Sequence, residues 1–367
     1  MAKSGIKSQR NGKIEFYRFV FSIYVLLMHT AMYIIEPEYT DEDIISFFAR
    51  GAMGVEFFFL VSGYLMAQTV YKIRLANPEK ANTFEAIEGL RFLRKKYFSI
   101  LPQHLVVFPL TFIAYALVKD FTIIETIKKA IDSVPGLFLM QSTGLTYTTP
   151  NHVTWYISSM LIGMAVIYPV LRKHYTNFTK YIAPVGAILI VGYIMHETKR
   201  LTGVSTWMGI GFKGVLRAIV EISLGTSAFE LSRFLAEKEF TKKQKLLLTM
   251  GEVGCFVLVT MYVLSRLSNK YEVYALALLF VMVSLCFSGQ TLDLKLYNNK
   301  LSFFLGKISL PIYLSQLSAV YLVNNFMPDN STLVRVLATV GLTFGIGLVV
   351  MVTGEKFSKL LFVKKKS

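Results

Sequence analysis

The chain has 367 residues, 54% of them hydrophobic and 14% aromatic, with a mean hydropathy of +0.50. A soluble protein of this length is not so apolar over so many long runs, so the composition excludes a soluble globular enzyme and points to an all-α polytopic integral membrane protein. The formal charge of +16 resembles that of a nucleic-acid binder, but the basic residues alternate with apolar runs and so report membrane topology; nucleic acid is not expected as a partner.

Ten spans are expected, with approximate limits Ile14–Ile35, Gly51–Tyr71, Tyr97–Val118, Val153–Leu171, Tyr181–His196, Phe212–Glu230, Leu246–Arg266, Val273–Ser288, Leu301–Phe326 and Thr332–Thr353. Each is near the roughly 20 apolar residues that cross a bilayer. The first run is too long for a cleavable signal and lacks a small-residue cleavage site. With the N-terminus in the cytoplasm, the inside segments hold most of the 39 Lys and Arg, as the positive-inside rule requires. The first outside loop is then acidic (Glu36, Glu38, Asp41, Glu42, Asp43), and the tail Lys364-Lys365-Lys366 returns to the cytoplasmic side. Residues 1–367 read as one transmembrane domain without a separate soluble domain. The longest outside loop, Lys119 to His152, carries the apolar patch PGLFLM at 135–140. That patch reads as interfacial or re-entrant, and irregular backbone at membrane depth requires protein or water to satisfy it.

The first span, IEFYRFVFSIYVLLMHTAMYII, contains Glu15, Arg18 and His29. Ionisable residues inside a span are functional candidates by default. Ten residues separate Arg18 from His29, close to three turns, so both lie on one face, roughly 16 Å apart along the axis. Glu15, Ser22 and Tyr33 fall near the same line. A snorkelling Arg with a satisfied buried His would give the same stripe.

The second span, GAMGVEFFFLVSGYLM, places Glu56 near the outer side, at a depth comparable to His29. A carboxylate orienting an imidazole is a familiar general-base arrangement, so a Glu56–His29 pair is expected. Ser62-Gly63 reads as a helix-packing site. Arg91, Arg94, Lys95 and Lys96 precede the third span on the cytoplasmic side. Such a run is either an anionic-lipid cluster or a site for a phosphorylated ligand. His104, alone in an apolar run, reads as structural. His152 and Trp155 open the fourth span at the outer interface, where Trp anchors a helix or stacks on a sugar. Arg217 and Glu221 on the sixth span form an i,i+4 ion pair or line the cavity of His29. Cys255 and Cys286 sit in apolar runs, which argues against a disulfide framework and a zinc site. The sequence has no phosphate-binding Gly-rich loop, HExxH or GxSxG elbow, and no metal is expected.

Taken together, the Arg and His ten residues apart on the first span, GVEFFFLVSGYL on the second, RKKYFSILP opening the third, TWYISSML on the fourth and LGKISLPIYLSQ near the end resemble the membrane-bound acyltransferase-3 family over nearly the whole chain. The chain departs from the family pattern where Ser99 and Lys96 stand three and six residues before Pro102, places commonly held by arginine, and where Gln316 closes a motif that often ends in His. The resemblance implies a multi-pass protein of the bacterial cytoplasmic membrane that moves a short acyl group, usually acetyl, from cytosolic acyl-CoA (acetyl-CoA) to a hydroxyl of an extracytoplasmic glycan or lipid-linked sugar. Arg18 and the Arg91, Arg94, Lys95, Lys96 cluster would hold the donor. His29 would be the general base, assisted by Arg18 and Glu56, and Tyr33, His152, Trp155 and Arg217 would face the acceptor. Besides acceptor and donor, the only partner implied is membrane lipid; monomer and homodimer stay open. The alternatives are a polytopic transporter or exporter, which also needs buried charges facing a cavity, and a structural membrane subunit, which would tolerate changes at Arg18 and His29.

Overall fold

The computed structural model describes residues 11–35, 48–145, 149–292 and 297–361. The acidic residues at 36–43 and the lysines at 364–366 lie outside these. The described chain is helical from end to end: α1 Gly12–Thr30, prolonged by a π-helical turn Ala31–Ile35, α2 Met53–Ala76, α3 Ala86–Val118, α4 Ile123–Asp132, α5 Val134–Leu137, α6 Trp155–Lys173, α7 Tyr175–Asn177, α8 Ala183–Thr198, α9 Lys213–Ala236, α10 Lys242–Leu264, α11 Glu272–Phe287, α12 Lys300–Phe326 and α13 Thr332–Leu361. The ten-span expectation corresponds to ten long helices. Nine stretches of the described chain are long and apolar enough to cross a membrane. The exception is α9, which carries Lys213, Arg217, Glu221, Glu230 and Arg233. Protein shields those charges, since α9 is packed by α2, α6, α8 and α11.

Two expected boundaries move. The third span is expected from Tyr97, but α3 begins at Ala86, so the basic cluster lies on the helix and each of its members has a fixed direction. The fifth is expected from Tyr181, but its helix is continuous from Tyr175 through a π-helical turn at Phe178–Ile182.

Helix α1 is the shared wall of the bundle. It packs against α12 on one side and α2 on the other. Asn11 caps it, its side chain accepting from the backbone N–H of Lys13 and Ile14, which satisfies donors that no intrahelical partner reaches. The rotation of α1 is set by buried polar contacts. Lys13 Nζ donates to Glu252 at 3.2 Å and to Thr291 at 2.8 Å, and the Tyr17 hydroxyl donates to the same carboxylate at 3.2 Å.

The crossing of α2 and α9 depends on two glycines. A Cβ on Gly63 would lie 1.9 Å from the Ile222 carbonyl oxygen, and one on Gly225 would lie 2.1 Å from that of Leu60. Only glycine on both sides lets these backbones touch, in agreement with the packing role expected of Gly63. This crossing carries Glu56 to Arg217.

The segment after α3 turns back along that helix. The His104 imidazole, fully buried, is hydrogen-bonded through Nε2 to the Gly136 carbonyl at 3.1 Å, and Gln141 Nε2 donates to the same oxygen at 3.3 Å. The side chains of His104, in the middle of α3, and of Gln141 thus both meet the Gly136 carbonyl of the 135–140 patch, and His104 is a support of that segment.

Candidate active site

Two cavities lie on the seam between the α1, α3, α12, α13 group and the α2, α6, α9, α11 group. The first, of about 260 Å³, is lined by His29, Tyr33, His152, Trp155 and Arg217, with Arg50 and the 202–205 segment. The second, of about 320 Å³, is lined by Arg18, Lys96 and Ser99, with Phe58, Ser62, Tyr156, Met160 and Ser309. The stripe on α1 therefore opens into a different cavity at each end.

In the first cavity the His29 ring is buried. Its Nδ1 lies 3.1 Å from Gln316 Oε1, while Gln316 Nε2 donates to the Tyr313 carbonyl at 2.9 Å. That second bond fixes the amide with its oxygen towards the imidazole. His29 Nδ1–H is therefore the donor, and the lone pair of the neutral ring is on Nε2. Tyr33 stacks on His29 with ring centroids 6.2 Å apart and planes 12° apart, and its hydroxyl is hydrogen-bonded to His152 Nε2 at 3.1 Å. Trp155 lies beside Arg217, whose guanidinium carbon is 5.7 Å from the ring centroid. Four side chains expected to face an acceptor thus line one cavity with the expected base.

The expected Glu56–His29 pair is not formed. Glu56 is fully buried and pairs with Arg217 Nη2, while Arg217 Nε donates to Glu221 at 3.1 Å. The tight α2–α9 contact directs the Glu56 carboxylate towards α9. The partner that orients His29 is Gln316, on α12. The Arg217–Glu221 alternatives both hold: the two residues form an ion pair, and Arg217 lines the His29 cavity.

In the second cavity, Arg18 Nη1 donates to Glu15 at 3.2 Å. Glu15 is seated against Gly306 of α12, where an added Cβ would lie 2.0 Å from its Oε2. Of the basic cluster only Lys96 lines this cavity. Lys96, Ser99 and Ile100 follow i, i+3, i+4 and share one side of α3. Arg94 turns outward over the Phe98 ring at 5.7 Å, Lys95 is exposed, and Arg91 lines a separate cleft of about 160 Å³ with Glu88 and Arg172. Helical phase thus separates Arg91, Arg94 and Lys95 from the lining of the Arg18 cavity, which takes Lys96 from the expected donor-binding cluster.

These features define a class: an all-helical, multi-pass membrane protein whose imidazole and guanidinium groups are turned inward onto cavities. The chain matches the acyltransferase-3 family, described as an acyltransferase domain, over residues 11–352, and it belongs to that family. It is a membrane acyltransferase. No curated protein and no solved structure matches the chain.

Proposed function

We propose that the chain is a transmembrane O-acyltransferase of a bacterial cytoplasmic membrane that moves a short acyl group, acetyl above all, from cytosolic acyl-CoA to a hydroxyl of an extracytoplasmic glycan or lipid-linked sugar. The observation that carries this reading is that Arg18 and His29, on one helix, line two different cavities that approach each other at a single side chain. The excess of basic residues in alternate connections supports placing the Arg18 end in the cytoplasm and the His29 end outside.

The donor's phosphates would meet Arg18 and Lys96 at the cytosolic end, Arg as a planar fork and Lys as a point charge. Its thioester arm would follow the more apolar wall of Phe58, Val61, Ile157 and Met160 inward. In the outer cavity His29 Nε2 would take the proton of the acceptor hydroxyl as its oxygen attacks the thioester carbonyl carbon. A C–O bond forms, the C–S bond breaks, and the thiolate leaves, taking the proton back from the imidazolium. General-base help of this kind is typically worth about 10²–10⁴-fold. Gln316 would hold the ring in the tautomer the step requires. Tyr33, His152 and Trp155 would bind the sugar.

The test is transfer from radiolabelled acetyl-CoA to a surface-glycan fraction in membranes carrying the protein, with mass spectrometry for acetyl-sized additions. The His29→Ala variant is expected to accumulate in the membrane and transfer nothing. Full transfer by that variant removes the assignment, and export of unmodified glycan without consumption of acyl-CoA would make the chain a transporter instead.

A further inference from the structure

We infer that Tyr313 is a movable septum that separates the two cavities and keeps water in the acceptor cavity from the thioester until the acceptor is in place. This rests on the acyl-transfer reading above. Tyr313 is the one residue common to the linings of the two cavities. It is buried, and its ring is edge-on to Tyr156, with centroids 5.8 Å apart, and to Phe58, at 6.4 Å. Its hydroxyl donates to the Val153 carbonyl at 2.6 Å.

Three features make it suited to move. The hydroxyl is held by one backbone oxygen, so a single bond latches the ring. Val153 belongs to the short turn His152–Thr154, between His152 and Trp155, which line the acceptor cavity, so a sugar pressing on either side chain bears on the latch. Pro311, two residues before Tyr313 inside α12, has no N–H to give the preceding turn and loosens the helix there. Meanwhile the Tyr313 carbonyl accepts from Gln316 Nε2, so the backbone that carries the septum also holds the residue that orients His29.

Removing the ring would merge the two spaces. Water would then reach the thioester, its oxygen bonding to the carbonyl carbon as the C–S bond breaks, to give the free carboxylic acid and CoA thiol. A closed site suppresses this side reaction.

The experiment compares wild type, Tyr313→Phe, Tyr313→Leu and Tyr313→Ala in proteoliposomes, measuring CoA release from radiolabelled acetyl-CoA alone and label transfer when the surface-glycan fraction is added as acceptor. In Tyr313→Ala and Tyr313→Leu, acceptor-independent release is expected to rise by about tenfold or more while transfer falls, as a site opened to water predicts. Tyr313→Phe keeps the ring and loses the latch, so its release is expected to lie between wild type and Tyr313→Leu, with transfer retained. If Tyr313→Ala does not accumulate, the Phe and Leu variants read the same ratio. Release-to-transfer ratios equal to wild type in the variants that accumulate overturn the septum. A wild type that consumes no acetyl-CoA with or without acceptor overturns the acyl-transfer reading itself, which is a different result.

Discussion

Gln316 Oε1 lies 3.1 Å from His29 Nδ1, across the contact between α12 and α1. A neutral amide thus takes the position that a carboxylate holds in many acid–base pairs. An amide fixes tautomer and ring direction but adds no negative charge to stabilise an imidazolium. The Gln316→Ala variant is expected to lower kcat by about 10²-fold, within the range of general-base contributions, with little change in KM for acyl-CoA. Gln316→Glu keeps an acceptor oxygen towards Nδ1–H and is expected to retain far more activity than Gln316→Ala. Initial-rate measurements over a range of acyl-CoA concentrations check both. Equal loss in the two variants would mean that the orienting bond is not what matters.

Arg217 is fully buried between two carboxylates, and Glu56 Oε2 and Glu221 Oε2 have no further hydrogen-bond partner among the described residues. Deleting the shared cation leaves both acids buried without a counter-charge. Breaking a buried pair from one side costs about 3–5 kcal/mol. Arg217→Met is therefore expected to lower the thermal midpoint in detergent strongly. Glu56→Gln, which keeps the acceptor oxygen towards Arg217, is expected to lower it much less. A smaller loss for Arg217→Met than for Glu56→Gln would show that the guanidinium does not anchor the triad.

Arg18 and His29 were legible in the sequence because an ionisable side chain in an apolar run stands out and helical spacing reports their common face. Tyr33, His152, Trp155 and Arg217 were legible as outer-side candidates for the same reason, depth along a span. Which helix faces which was not legible. Glu56 and His29 share a depth, but depth says nothing of azimuth, and the α2–α9 glycine crossing turns Glu56 to Arg217, 161 residues away. The directions of the basic side chains on α3 were hidden for a related reason. Once α3 begins at Ala86, helical phase alone separates Lys96 from Arg94 and Lys95. Gln316 and Tyr313 stood inside a motif whose pattern was visible, but their partners lie on α1, on α2, on α6 and in the turn before α6, and only the packed bundle supplies those contacts.

The α2–α9 crossing itself is testable. Gly63→Ala puts a methyl group 1.9 Å from a backbone oxygen that cannot yield as a flexible side chain would. Overpacking of this kind costs typically 1–3 kcal/mol, roughly, or forces the backbones apart. Because α9 carries Arg217 into the cavity of His29, the expected result is a lowered thermal midpoint together with reduced transfer. Gly254→Ala, on α10 with nothing within 4 Å of the added methyl, is expected to leave both unchanged. Thermal unfolding and transfer assays on the two variants check the contrast.

The basic residues divide into two groups that differ in kind. Arg18 and Lys96 line one cavity, whereas Arg94 and Lys95 face away from it. Arg18→Ala and Lys96→Ala are expected to raise KM for acyl-CoA by about tenfold, the loss of one charge-assisted phosphate contact of roughly 1.5 kcal/mol. KM for the acceptor is expected to stay near wild type. Arg94→Ala and Lys95→Ala are expected to change neither constant by more than about twofold, since an exposed charge contributes little. Steady-state kinetics with each substrate varied in turn separate the groups. If Arg94→Ala and Lys95→Ala raise KM for acyl-CoA as much as Lys96→Ala does, the donor is held by the charge of the whole helix end, and the Arg18 cavity loses its claim to the phosphates.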